Sequence, residues 1–476
     1  MLQPLEAFQA LESQNEQFYR DYDAWYSGSE NKLKMRSRTG DFWRQSKRCT
    51  RKVHVPIAAE ISSVSADLLF AEPPSVFIVS EQNSDQAQQR LDRILSVNRF
   101  NAKGYAAAET CSAYGDVYIK INWDGAQSDV PMLNVVQASN AYAEYQFDVL
   151  KCIHFFAKSQ IAGKSDRYDW LYERYEPGRI ITHRGTGSAS SPETFDREGD
   201  ELKLKSSGIL AVHIPNLTPN RNGNPNLGRS DYNGIMGMMD ALDEAWSSWI
   251  RDVNLGKARL IVPRDYFRTD VTPLQPGEFI SHFDKEDEVY VAMDVDPDRS
   301  NGTGIEKTQF EIRASQHQET CIALLERIVT SAGYSPQTFG INIAGTAESG
   351  TALNVRERRT YTNKAKKELY WKNALEMLFA AVIETDKEAF QQPYPDDACI
   401  SVEFKEPAQD ANNIAEAIYN LDRSGAISLY EKVKRTNPDW DDAQIQEETD
   451  RIGREKGLLV DNPFEASAAF AGEDES

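Results

Sequence analysis

No two cysteines of this chain stand in a CxxC pair. The five present (Cys49, Cys111, Cys152, Cys321 and Cys399) are odd in number and far apart, which argues against a disulfide framework or a zinc ribbon and for a reducing, intracellular setting. Positive charge is scarce: 53 Lys and Arg stand against 74 Asp and Glu, a net charge of −21. Tight general binding to nucleic acid needs phosphate-neutralising cations and is disfavoured. An acidic wall that lets DNA slide past is compatible with the same composition. Long apolar runs are absent too. The longest, Leu378 to Ile383, is far too short to span a bilayer, and Met1-Leu-Gln-Pro-Leu-Glu6 lacks the basic start and apolar core of a signal peptide. The expectation is a chain made in the cytoplasm, neither secreted nor membrane-bound.

Motifs of bond-making chemistry are missing as well. Gly185-Thr-Gly187 has no third glycine for a dinucleotide fingerprint, and no GxxxxGK[ST], HExxH or GxSxG occurs. The six histidines are scattered, and His54 reads as a cap or core residue. Asp294-Val-Asp-Pro-Asp298 has the first carboxylates of a calcium loop, but Arg299 and Ile305 stand where its glycine and closing glutamate belong, so a solvated acidic tip is expected. We expect no catalytic residues, no metal and no cofactor.

What is present is concentrated between about Ser230 and Ala365. From Tyr232 to Asn254 apolar residues recur at helical spacing, through Ile235, Met238, Met239, Leu242, Trp246, Trp249, Ile250 and Val253. Ser230 and Asp231 are expected to cap this helix and Gly256 to end it. The period then changes. Ala258-Arg-Leu-Ile-Val262, Glu278 to Phe283 and Glu288 to Met293 read as strands of a small β-rich knob. A second helix, Arg313 to Ala332, returns with Cys321, Leu324, Leu325, Ile328 and Val329 on one face, making a hairpin of two rods. Gly340 to Gly350 is rich in Gly and Ala and suited to close approach. The next helix, Thr351 to about Phe390, carries Arg356, Arg358, Arg359, Lys364, Lys366, Lys367 and Lys372 against Glu357 and Glu368, seven minus two, or +5. This half reads as wet and basic. The other half, with Trp371, Leu375, Leu378, Phe379, Val382 and Ile383, reads as packed.

Before this stretch, an amphipathic helix is expected over residues 4–27, then a polar loop to Asp41. A basic cluster (Lys47, Arg48, Arg51, Lys52) reads as a solvated face or a contact with an acidic neighbour. A helix starts near Pro56, and Val76–Val79 is a strand. Helices follow at 85–97 and 101–112, then a strand at 117–123 and mainly antiparallel strands from 131 to 214. Asn216 to Asn226 marks a boundary. After the long helix come a strand at 400–404 and a helical module over 412–457. The Ala-rich acidic end, Asn462 to Ser476, has a disordered composition.

The order of parts resembles the portal proteins of tailed bacteriophages, of the siphophage type. The segments that carry the resemblance are Gly345-Thr-Ala-Glu-Ser-Gly-Thr-Ala-Leu-Asn-Val-Arg-Glu-Arg-Arg359, Arg51 to Ile61 with Leu68-Leu-Phe-Ala-Glu-Pro-Pro74, and Val212-His-Ile-Pro-Asn216 with Gly228-Arg-Ser-Asp231. It implies an α+β portal fold: a mixed wing (1–229), stem helices (230–257 and 312–335) flanking a β-rich clip (258–311), a tunnel loop (336–352), a channel helix returning to the wing (353–411), a helical crown (412–460) and a disordered acidic tail (461–476).

The resemblance further implies a homo-oligomeric ring, a dodecamer, at one capsid vertex, assembled in the host cytoplasm and carried in the virion. Double-stranded DNA enters and leaves through it. Its partners would be the terminase large subunit, then a head–tail connector, with the major capsid protein and scaffold. Ile343, Gly345, Thr346, Glu348, Ser349, Gly350, Arg356, Arg359 and Lys366 are the expected DNA-facing set. Leu242, Trp246, Trp249, Leu324 and Ile328 are the expected stem-packing set, between subunits or stem to stem. The basic run has two open readings, cations facing DNA or salt bridges with an acidic body. The rival functions are another ring-forming connector or scaffold protein and a metal-dependent nucleic-acid-processing enzyme.

Overall fold

The structure, a computed structural model, describes residues 2–35, 41–44, 52–81, 84–164, 166–205, 208–221, 225–256, 259–263, 290–293, 306–308, 312–341, 350–404, 411–437 and 440–456. Lys47, Arg48 and Arg51, the expected strand Glu278–Phe283, the acidic tip Asp294–Asp298, most of the Gly/Ala-rich loop and the tail lie outside them.

The N-terminal segment is not one α-helix. Helix α1 (Pro4–Gln14) passes through a π-helical turn (Asn15–Tyr19) into α2 (Arg20–Ser27). The turn re-aims the apolar face. Upstream, Phe8 and Leu11 pack with Phe156, Trp170 and Tyr172; downstream, Phe18, Tyr22 and Trp25 join the main core. Where a polar loop was expected, α3 (Glu30–Met35) forms and buries Leu33; the short α4 (Asp41–Arg44) follows.

Helix α5 (Ile57–Phe70) begins one residue later than Pro56 would allow as first helical position, with Pro56 as its N-cap, and it packs on the helix over Phe100–Tyr114. Strand β1 (Ser75–Val79), α6 (Asp85–Val97) and α7 (Phe100–Tyr114) come next. Strands β2 (Asp116–Asn122) and β3 (Met132–Gln137) pair antiparallel. The strands β4 (Ala141–Gln146), β5 (Val149–Gln160), β6 (Tyr168–Glu176), β7 (Arg179–Gly187) and β8 (Pro192–Phe195) form an antiparallel meander. Strand β9 (Asp200–Lys203) also pairs with β7, and β10 (Ala211–Pro215) adds to β2.

Helix α8 (Met236–Leu255) starts later than expected, because Ser230 to Ile235 is spent on turns. The strands β11 (Arg259–Pro263), β12 (Tyr290–Met293) and β13 (Glu306–Thr308) form a three-stranded sheet, with β11 central, parallel to β12 and antiparallel to β13. Helix α9 (Ala314–Ala332) returns along α8. The 41-residue α10 (Gly350–Phe390) is about 60 Å long. Strand β14 (Cys399–Glu403) goes back to the body and pairs antiparallel with β1.

A second compact unit holds α11 (Ala411–Arg423), α12 (Leu429–Thr436) and α13 (Asp442–Glu455). The starts of α12 and α13 are capped by side chains. The Ser428 hydroxyl accepts from the Glu431 amide, and Asp441 and Gln444 form a capping box. Val433 and Ile445 are buried in it.

Candidate functional site

The turn that leads into α8, the middle of α10 and the residues just past α9 meet at one buried ion pair. Lys367 Nζ on α10 lies 2.6 Å from Asp231 Oδ2. The ammonium also donates to Ser65 Oγ on α5 at 2.7 Å and to the Tyr334 hydroxyl, just past α9, at 2.9 Å. Asp231 accepts from Ser112 on α7 (2.6 Å), Tyr334 (2.8 Å) and Asn216 Nδ2 beyond β10 (2.9 Å). Lys367 is 1% exposed and Asp231 5%. A charge pair this buried holds only because its hydrogen-bonding capacity is filled. This corrects two expectations. Asp231 is not a helix cap but the acceptor of a network, and the basic half of α10 is not wet throughout. Lys364 is buried as well, 3.2 Å from Glu368.

Two more buried carboxylates brace the junction. Asp116 accepts from the Tyr19 hydroxyl (2.9 Å), His213 Nε2 (2.7 Å) and the Gly228 amide (2.6 Å). Gly115, with φ +93°, and Gly228 bring their backbones too close for any side chain at either position. Asp243 on α8, fully buried, accepts from Trp43 Nε1 (3.0 Å), His54 Nδ1 (2.9 Å) and the Val55 amide (2.8 Å). His54 thus ties the segment before α5 to α8.

Along the α8–α9 seam, Leu242 and Ile328 are fully buried and Trp246, Trp249 and Leu324 half-buried. The rings of Trp246 and Trp249 stack with centroids 5.1 Å apart, and Trp249 stacks on the His317 imidazole at 6.2 Å. Asp252 Oδ2 accepts from Arg313 (2.8 Å) and His317 (2.9 Å), so the C-terminal end of α8 meets the N-terminal end of α9. The residues expected to pack the stem thus all belong to, or lie against, one core within the single chain.

Of the expected DNA-facing residues, Ile343, Gly345, Thr346, Glu348 and Ser349 lie outside the described residues. Gly350 opens α10, and the Arg356 side chain also lies outside them. Arg359 and Lys366 are exposed on α10. They line a cleft of about 460 Å³ with Arg221, Arg229, Arg358, Ser331 to Gly333, Thr362 and Asn363. Among the described residues that line it, five are cations and none is a carboxylate. The Arg229 guanidinium is pulled below its ordinary pKa, first by burial and next by Arg221. Asn363 is 8% exposed, and its Nδ2 has no hydrogen-bond partner among the described residues.

The one group of three or more metal-type donors among the described residues is Glu144 on β4 with Cys152 and His154 on β5, their ligand atoms within 4.8 Å of one another. The donors are spent on one another and on Tyr172. Cys152 Sγ donates to Glu144 Oε2 at 3.5 Å, and His154 Nδ1 meets the Tyr172 hydroxyl at 2.8 Å. Burial pushes the Cys152 thiol up to about 12, which opposes the thiolate a metal would need.

Burial also pulls His154 down to about 4 from an ordinary 6.5. The folded chain therefore holds this imidazole neutral where the unfolded chain protonates it. Stability from His154 is full above pH 6.5 and drains as pH falls toward 4, by up to about 1.4 kcal/mol per pH unit. Unfolding midpoints measured at pH 7, 6 and 5 should fall steadily, and His154→Gln should flatten that slope.

Solved structures similar to this chain include the neck of an empty GTA particle computed with C6 symmetry and the neck of a native GTA particle computed with C12 symmetry. Each is 12% identical, with a TM-score of 0.42, over 79% of this chain and 88% of the other. The virion of a native gene transfer agent particle matches at 12% identity and a TM-score of 0.39, over 78% of this chain and 86% of the other. No relative is found among curated proteins. The family model described as phage portal protein, SPP1 Gp6-like, matches residues 9–457, nearly the whole chain, and the chain belongs to that family of portal proteins.

Proposed function

We propose that this portal protein works as a closed ring at one capsid vertex, through which double-stranded DNA is packaged and later ejected. The observation that carries the reading is the order of parts around the Asp231–Lys367 pair: two antiparallel helices joined through a small sheet, then a 41-residue helix rooted in the same body. In this reading α8 and α9 are the stem, β11 to β13 belong to the clip, residues 336–352 are the tunnel loop and α10 is the channel helix. The α11–α13 unit is the crown, and the helices and sheets before residue 230 are the wing. Side-to-side heterologous contacts close the ring, with twelve copies as the expected number. The DNA-facing set runs from Ile343 through Gly345, Thr346, Glu348, Ser349 and Gly350 to Arg356; Arg359 and Lys366, expected to belong to it, line the cleft described above. The work is mechanical, and ATP is hydrolysed by a separate terminase that docks on the clip before the tail connector does. Scaffold and major capsid protein surround the stem.

The test is negative-stain electron microscopy of the purified chain with its mass in solution. Rings with a hole wide enough for a duplex support the reading; a chain that stays monomeric across salt and crowding conditions defeats it. Deleting Gly345–Gly350 should leave rings intact and lower the yield of DNA-filled particles at least tenfold. Loss of rings in that deletion would make the loop an assembly element instead.

A further inference from the structure

The cleft beside the buried junction concentrates positive charge in a chain that is strongly acidic overall. Arg221, Arg229, Arg358, Arg359 and Lys366 form no ion pair among the described residues, although Lys364 and Lys367 on the same helix are both paired. Leaving five cations around one concavity is unfavourable unless an anion enters it. The buried Asn363 lines the same cleft, and its Nδ2 is a donor with no acceptor among the described residues.

The surface running away from the cleft indicates what kind of anion enters. Thr362, Lys366, Leu369, Asn373 and Met377 follow at three- and four-residue steps along α10 and are all exposed, Leu369 at 66% and Met377 at 65%. A cationic cleft whose flank continues in bare Leu and Met suits a protein surface better than a phosphate backbone. A sliding duplex would also be slowed by a concave site with five cations. The chain itself, with 74 carboxylates against 53 cations, is an abundant source of acidic surface.

We propose that this cleft is the receiving half of a side-to-side contact between copies: carboxylates of a second copy enter it, pair with Arg358, Arg359 and Lys366, accept from Asn363 Nδ2, and bring apolar cover to Leu369 and Met377. The contact is heterologous, because the cleft is cationic and what it receives is acidic. It rests on the ring reading above and names one of the surfaces that closes the ring.

The experiment uses the full chain, prepared at natural and heavy isotope abundance and mixed. A carbodiimide, which joins an amine only to a carboxylate it touches, is applied at low salt and at 1 M salt. The expected result is a cross-link from Lys366 to an Asp or Glu of a chain of the other mass, lost at 1 M salt, where screening reaches about 3 Å. In parallel, Arg358→Glu/Arg359→Glu should cut ring yield at least tenfold while the monomer keeps its unfolding midpoint. Rings formed equally well by that variant, with no inter-copy link at Lys366, overturn the proposal and leave the ring reading standing. Unchanged rings with weakened binding of a short DNA duplex overturn it in favour of a nucleic-acid contact. A native chain that forms no rings under any condition defeats the ring reading and the proposal with it.

Discussion

Replacing Lys367 with Met should lower the stability of the folded chain by about 3–5 kcal/mol, the range for removing one partner of a buried ion pair. Methionine keeps the apolar stem of the lysine, so little packing is lost. What goes is the charge opposite Asp231 and the donor shared by Ser65 and Tyr334. Asp231 retains Ser112, Asn216 and Tyr334, all neutral. Asp231→Asn should cost a similar amount by stranding the ammonium. The double variant, Asp231→Asn with Lys367→Met, should cost less than the two single changes added together, by about 2–3 kcal/mol, because neither charge is then left alone. Urea unfolding midpoints of the four chains measure this. A single-variant loss under about 1 kcal/mol would show that packing alone holds the junction.

This pair also marks where sequence reading stops. The helices were legible because apolar residues repeat at a period the backbone dictates. Leu242, Ile328, Trp371 and Leu378 all fell on the faces that are buried. The Asp231–Lys367 pair was not legible, because its members are 136 residues apart and the network spans six separate segments. A signal did exist. Lys364 and Lys367 continue the three- and four-residue steps of Trp371, Leu375 and Leu378 toward the N-terminus of α10. A cation on the apolar register of a helix needs a buried partner. Counting charge along the run hid this, since the count treats every lysine as solvated. The register leaves Arg358, Arg359 and Lys366 off the buried face, which is where they are.

Strands gave less. The β11–β12–β13 sheet has a three-residue member, Glu306–Thr308, too short for any alternation to announce it. The Glu144, Cys152 and His154 cluster is set by cross-strand register between β4 and β5, including a bulge after Glu144, and no periodicity within either strand encodes it. The π-turn after α1 is a similar case. It serves two cores at once, Phe8 and Leu11 in one and Phe18 and Trp25 in the other, and only the tertiary arrangement requires the change of face.

Removing the Asp243 carboxylate should be the second most costly change, about 3–4 kcal/mol for Asp243→Ala, since each donor stranded in a buried site costs about 1–3 kcal/mol. Three groups lose their acceptor: Trp43 Nε1, His54 Nδ1 and the Val55 amide. All three belong to the segment before α5, and Asp243 belongs to α8. The loss should therefore appear first as local opening, with faster amide exchange at Val55 and a red shift in tryptophan emission as Trp43 meets water, ahead of the global transition. Asp243→Asn keeps one carbonyl oxygen for the Val55 amide or the indole and should recover roughly half of the loss. The result bears on the ring as well as the fold. If α8 is the stem, this carboxylate fixes the stem's root against the wing, and rings of the Ala variant should form in lower yield while those of the Asn variant stay near the native level. Equal stability in all three chains would mean that the indole, imidazole and amide find other partners, and that the root of α8 is held by Leu242, Met239 and the Asp231 network alone.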